Sequence, residues 1–109
     1  MTMNKETVAA LAERLGLEKI NLADPDREVT AGYVGDLLSW VMGRAPEGGA
    51  WVTVMTNVNV IAVASLSDVA CVILAEGAEL DEAALSRAET EGINVLASKL
   101  PAFDIVRAL

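Results

Sequence analysis

The chain has no histidine and a single cysteine in 109 residues. Without imidazole there is no serine or cysteine triad, no imidazole metal site and no protonation switch near neutral pH. Cys71, set inside the apolar run Val69–Leu74, has no partner for an intrachain disulfide, and no Cys-x-x-Cys spacing suggests zinc or an iron–sulfur cluster. It reads as a small core residue. Basic residues are scarce: 8 Lys+Arg stand against 16 Asp+Glu, a net charge of −8. That balance repels phosphate backbones and argues against nucleic-acid binding. Long apolar runs are also missing, because Asn57, Asn59, Ser65, Ser67 and Asp68 interrupt the most hydrophobic stretches, so none spans a bilayer. Met1–Leu15 carries Glu6 and Glu13 and lacks the basic-then-apolar order of a signal peptide. The expectation is a cytoplasmic protein with no membrane partner.

What is present is one domain's worth of chain, expected to span 1–109, with 53% hydrophobic residues. At this length folding buries roughly 65% of the unfolded surface, enough for a core without staples. Val8, Leu11, Ala12 and Leu15 define one face of a helix over Thr2–Leu15, stopped by Gly16. Strands follow at Leu17–Leu22 and Val29–Val34, separated by the turn residues Asp24, Pro25 and Asp26. Asp36 is placed to cap a helix with Leu37, Leu38, Val41 and Met42 as its apolar stripe. Trp51–Met55 reads as a strand. From Thr56 a hairpin and a helix both remain open, and the helix is preferred because Asn57 is a good N-cap, although Val58, Val60, Ile61 and Val63 are β-branched. Ala70–Leu74 and Ile93–Ala97 read as buried strands around a helix from Asp81 to Glu91, ended by Gly92. Pro101 opens a last helix bearing Phe103, Val106 and Leu109. Strands alternating with helices imply an α/β fold, a single domain with a largely parallel central sheet of about five strands flanked by helices.

The chemistry-bearing candidates are few. Gly32 and Gly35 lie between a strand and a helix, but neither G-x-G-x-x-G nor G-x-x-x-x-G-K-[ST] occurs. Asp36 adds a negative charge where an anion would sit, so these glycines read as a structural turn. The acidic stretch Glu76–Glu91 reads as a solvated face rather than a metal site. In a parallel sheet ligands sit beyond the carboxyl ends of the strands. The residues assigned there, as one small pocket, are Asp26, Arg27, Gly32, Tyr33, Gly35, Asp36, Thr56, Asn57, Asn59 and Gly77, with Glu76 and Ser98–Lys99 beside them. Capping accounts for Asn57 and leaves Asn59 without a structural role. No nucleophile–base pair is visible, so no catalytic residue, metal ligand or cofactor is assigned.

Gly32-Tyr33-Val34-Gly35-Asp36-Leu37-Leu38-Ser39, then Val41-Met42, Trp51-Val52-Thr53-Val54 and Asn59-Val60-Ile61-Ala62-Val63-Ala64, resemble the stand-alone DRTGG-domain proteins. The resemblance is clearest over 26–109. That family is similar to the N-terminal domain of HPr kinase/phosphorylase and to the middle domain of some phosphotransacetylases and CBS-containing pyrophosphatases. The chain departs from the family pattern in two places. Asp26-Arg27-Glu28-Val29-Thr30-Ala31-Gly32 replaces the contiguous Asp-Arg-Thr-Gly-Gly, and Asn57 stands where related sequences commonly carry His two places before the asparagine.

The resemblance implies a non-catalytic regulatory or ligand-sensing module, often self-associating, with an association to redox, hydrogenase or phosphotransfer regulation. The expected partners are a second copy of the chain, with Trp40 as an interface candidate, and a small molecule or another protein. Two alternatives belong to other classes. One is a small phosphotransfer accessory enzyme using Asp26, Arg27 and Asn59; the other is a structural adaptor without a small-molecule ligand.

Overall fold

A computed structural model describes residues 6–109. Five of its twelve elements are helices, and side chains cap the starts of two of them. Glu6–Thr7 (β1) leads into Val8–Leu15 (α1), where the Thr7 hydroxyl accepts from the Ala10 N–H at 3.1 Å and Gly16, at φ +64°, ends the helix. The expected helix therefore begins later than Thr2, and its first residues lie outside the described part of the chain. Glu18–Asn21 (β2) follows. The single strand expected over Val29–Val34 is two: Glu28–Val29 (β3) pairs with β1 in a small antiparallel sheet, and Ala31–Val34 (β4) joins the main one. The break falls at Thr30, whose N–H is drawn to the Gly48 carbonyl at 3.0 Å.

Leu38–Arg44 (α2) and Gly49–Thr53 (β5) come next, then Val58–Ser67 (α3), so the helical reading of this segment holds. The Asn57 side chain accepts from the Asn59 N–H at 2.9 Å as its cap. β-Branched residues cost roughly 0.5 kcal/mol each in a helix, whereas burying Val60, Ile61 and Val63 contributes ~1.5–3 kcal/mol apiece. Burial outweighs propensity. Cys71–Leu74 (β6), Glu82–Glu91 (α4), Val95–Ala97 (β7) and Ala102–Ala108 (α5) complete the chain. In α5 the inward residue is Ile105; Phe103 is 70% exposed and Val106 41%, against the stripe expected from sequence. Leu109, four residues after Ile105, packs against the same core as Ala102 and Ile105, so of the expected stripe Leu109 faces inward while Phe103 and Val106 do not.

The main sheet has the order β2-β7-β6-β5-β4, with β4, β5, β6 and β7 parallel and β2 antiparallel to β7, Glu18 standing opposite Ala97. This is the expected α/β domain with a largely parallel five-stranded sheet. One face carries Trp51, Val72, Leu74 and Val95 against Val41 of α2, Val60 and Ile61 of α3, and Ala84 and Ala88 of α4. The other carries Ala50, Val52, Cys71, Ile73 and Leu96 against α1 and Ile105 of α5. The two edges differ. β2 presents Glu18 and Lys19, with a register shift between Lys19 and Asn21. β4 has no charge, no proline and no shift. Beside β4 the chain exposes Val34, Leu37 and Trp40, each at least half accessible, so of the stripe expected for α2 only Val41 is buried.

Candidate functional site

The crossovers decide where a crevice opens. After β4, β5 and β6 the chain turns each time toward the same face, to α2, α3 and α4. After β7 it turns to the opposite face, where α5 packs. The loops leaving β6 and β7 therefore diverge, and that divergence is where open α/β sheets hold ligands. A groove of about 700 Å³ lies there. Its apolar walls come from Leu15 at the end of α1, Ile20 of β2, Leu80 and Leu85 around the start of α4, and Ala97 and Leu100 around the end of β7. Glu18, Glu79 and Lys99 also line it, with Gly77 and Ser98 at the strand ends. Two backbone bonds fix the back wall, Gly77 N–H to the Ser98 carbonyl at 2.9 Å and Glu76 N–H to the Leu100 carbonyl at 2.8 Å. They require Glu76 and Gly77 in consecutive left-handed conformations, φ +58° and +72°. Gly77 adopts this freely, while for Glu76 it costs about 1–2 kcal/mol.

Of the ten candidates assigned from sequence, Gly77 lines this groove, and the others fall in two separate places. Tyr33, Gly35, Asp36, Thr56, Asn57 and Asn59 gather at the carboxyl ends of β4 and β5, with Gly32 inside β4. Their polar groups are largely committed to the fold. The Asp36 carboxylate accepts from the Thr53 hydroxyl at 2.7 Å and from the Val54 N–H at 3.0 Å. It is thus not the cap of α2, whose N-cap is Leu37, with no side-chain bond. The Gly35 carbonyl accepts from the Trp51 indole N–H at 2.9 Å, and a Cβ on Gly35 would stand 3.1 Å from the Tyr33 ring. Thr56 is tied to Asp81 through its carbonyl, which accepts the Asp81 N–H at 3.1 Å. Asn59, unexplained by sequence, is an exposed residue of the first turn of α3.

Asp26 and Arg27 sit at the opposite end of the sheet. Arg27 donates to the Asp68 carboxylate at 3.0 Å and to the Asp68 carbonyl at 2.9 Å, and Asp68 closes α3 ahead of β6. The guanidinium holds the Asp68 carboxyl below its ordinary value of 3.8. The pair borders a cavity of about 170 Å³ that also contains Asn94. Asn94 is 3% exposed and fully used: it accepts from the Asp24 N–H at 2.8 Å and donates to the carbonyls of Asp24 and Ala70 at 2.8 and 3.0 Å. This end is a structural clamp. The Cys71 thiol is pushed up to about 12 by burial, so it is not a nucleophile at neutral pH. Glu76, Glu79, Glu82, Glu89 and Glu91 are exposed, and no three metal-ligating side chains converge among the described residues.

Leu15, Ile20, Leu80 and Leu85 were not assigned to a site from sequence. They belong to three distant segments, and the only available signal was the strand-end position of Gly77 and Lys99.

No protein-family model matches the sequence, and no curated protein matches it. The fold is shared with a solved structure of the CBS and DRTGG domains of the regulatory region of Clostridium perfringens pyrophosphatase, complexed with its activator, diadenosine tetraphosphate. The TM-score is 0.77 at 14% sequence identity, over 94% of this chain and 45% of that one. This chain thus spans about half the length of the structure it matches, and at that identity the likeness is one of fold. No helix among the described residues is long and apolar enough to cross a membrane.

Proposed function

We propose that this chain is a cytoplasmic, non-catalytic regulatory module related to DRTGG domains, which senses a small ligand in the groove beyond β6 and β7. The observation that carries the reading is the coincidence of that groove with the one point where the crossovers diverge, in a fold shared with a regulatory region. A thermal-shift screen with diadenosine tetraphosphate, other adenine nucleotides, acyl phosphates, cyclic dinucleotides and simple carboxylates tests it. A ligand at 100 times its dissociation constant stabilises the fold by about 2.7 kcal/mol, a readily visible shift. No response to any probe counts against sensing and for a purely structural adaptor. A link to redox or phosphotransfer control follows from the resemblance alone.

The module is further proposed to act as a homodimer joined at β4. Support comes from an uncharged, regular edge strand that ends in exposed Val34 and is followed by exposed Leu37 and Trp40, without the usual devices against edge pairing. The Arg44 guanidinium lies over the exposed Trp40 ring, 3.8 Å from its centroid. Light scattering during size exclusion decides this: a monomer at tens of micromolar removes the dimer. The accessory-enzyme reading finds less support, because Arg27 is paired with Asp68 at one end of the sheet and Asn59 stands at the other.

A further inference from the structure

Six of the seven basic side chains among the described residues are already engaged. Arg14, Lys19, Arg27 and Arg87 pair with carboxylates, and Arg44 and Arg107 lie over the rings of Trp40 and Phe103. The seventh is Lys99, exposed, without a carboxylate or an aromatic partner, and it lines the groove whose walls are leucine and isoleucine. In a chain of net charge −8, the one unengaged cation among the described residues therefore stands beside an apolar groove.

Glu18 and Glu79 line the same groove. With two carboxylates beside one ammonium, the groove tolerates no more than a single negative charge, and only one held directly on the Lys99 ammonium. A di- or triphosphate would bring two to four charges to one lysine and meet both glutamates as repulsion. The walls ask for apolar surface instead, and a volume of about 700 Å³ lies within the usual range of small-molecule pockets, about 300–1,000 Å³. Resting on the ligand-sensing reading above, we infer that the groove takes a free monocarboxylate with an apolar body, of the medium-chain acid type. The carboxylate lies on the Lys99 ammonium and the chain lies against Leu15, Ile20, Leu80 and Leu85.

Calorimetric titration of the full chain with hexanoate, octanoate and decanoate, alongside the matching primary alcohols, tests this. The expected result is saturable binding of one acid per chain, tightening about fourfold for each added methylene. Lys99→Gln, at an exposed position, should weaken the acids about tenfold and leave the alcohols unchanged. Leu80→Gln should weaken acids and alcohols alike, with its circular-dichroism melt confirming the fold. Absence of saturable decanoate binding at low millimolar concentration overturns the inference. So does affinity independent of chain length, or an acid-to-alcohol ratio unmoved by Lys99→Gln. If a nucleotide raises the melting temperature while decanoate does not bind, this inference falls and the sensing role stands; if no probe acts, both fall.

Discussion

At one edge of the sheet β2 offers Glu18 and Lys19, slips in register before Asn21, and is bonded from the Asn21 amide to the Ile93 carbonyl at 2.9 Å. Lys19 is further tied to Glu13 of the preceding helix. At the other edge β4 offers Ala31, Gly32, Tyr33 and Val34 with none of these devices. Charges and irregular register stop a strand from recruiting another, whereas a regular apolar edge invites one. Both strands are four residues long, so length does not separate them; side-chain chemistry does. The β2 side is blunted within the chain, whereas β4 carries no such device, and the dimer proposed above rests on that difference.

The largest expected effect lies on the blunted side. Asn94→Ala removes three hydrogen bonds and leaves Asp24 and Ala70 backbone groups unpartnered. It should lower unfolding stability by about 3 kcal/mol in urea titrations. A loss below about 1 kcal/mol would show that the segment after β2 is held by other means. On the open side, Val34→Lys combined with Trp40→Glu should weaken self-association about a hundredfold, near 2.7 kcal/mol, with the monomer's fold intact. Placing charges on β2, which already has them, should not alter association. An equal effect from both edges would break the comparison.

A smaller effect is expected where β4 hands over to β5. Asp36→Ala strips the acceptor from the buried Thr53 hydroxyl and the Val54 N–H, and should cost about 2 kcal/mol in the same assay. The smallest concerns the Arg27–Asp68 pair. Because the folded Asp68 carboxyl is held below its ordinary value of 3.8, its contribution is present above that value and is lost as pH falls through the lowered one. Stability should therefore decline toward acid more steeply in the parent chain than in Arg27→Gln. Asp68 is more than half exposed and Arg27 about a third, so solvent screens the pair and the difference in urea midpoint should be slight. Identical profiles would mean that the pair contributes nothing measurable.

What could be read ahead of the structure follows from range. Asn57 announced α3, the run into Leu74 announced a strand covered on both faces, and Gly92 announced a helix end, all through neighbours a few residues away. The failures involve distant partners. Asp36 looked like a cap because its true acceptor role needs Thr53 and Val54 alongside. Asp26 and Arg27 were grouped with Asn59 because the direction of each segment relative to the sheet is not visible in a linear pattern. The groove is the extreme case, since α1, the loop before α4 and the loop before α5 meet there only after the sheet closes.

The antiparallel pairing of β2 with β7 also bears on the order in which the molecule assembles. β4, β5, β6 and β7 lie side by side in the sequence in which they are made, each joined to the next through one helix. β2, made before all of them, has its sheet partner in the last strand. On a ribosome the early α1–β2 segment must wait, unpaired, until β7 has emerged, and contacts of such long sequence separation are slow to form. The charges of β2 would then have a second use. They keep a strand that is exposed for most of synthesis from pairing with the wrong chain.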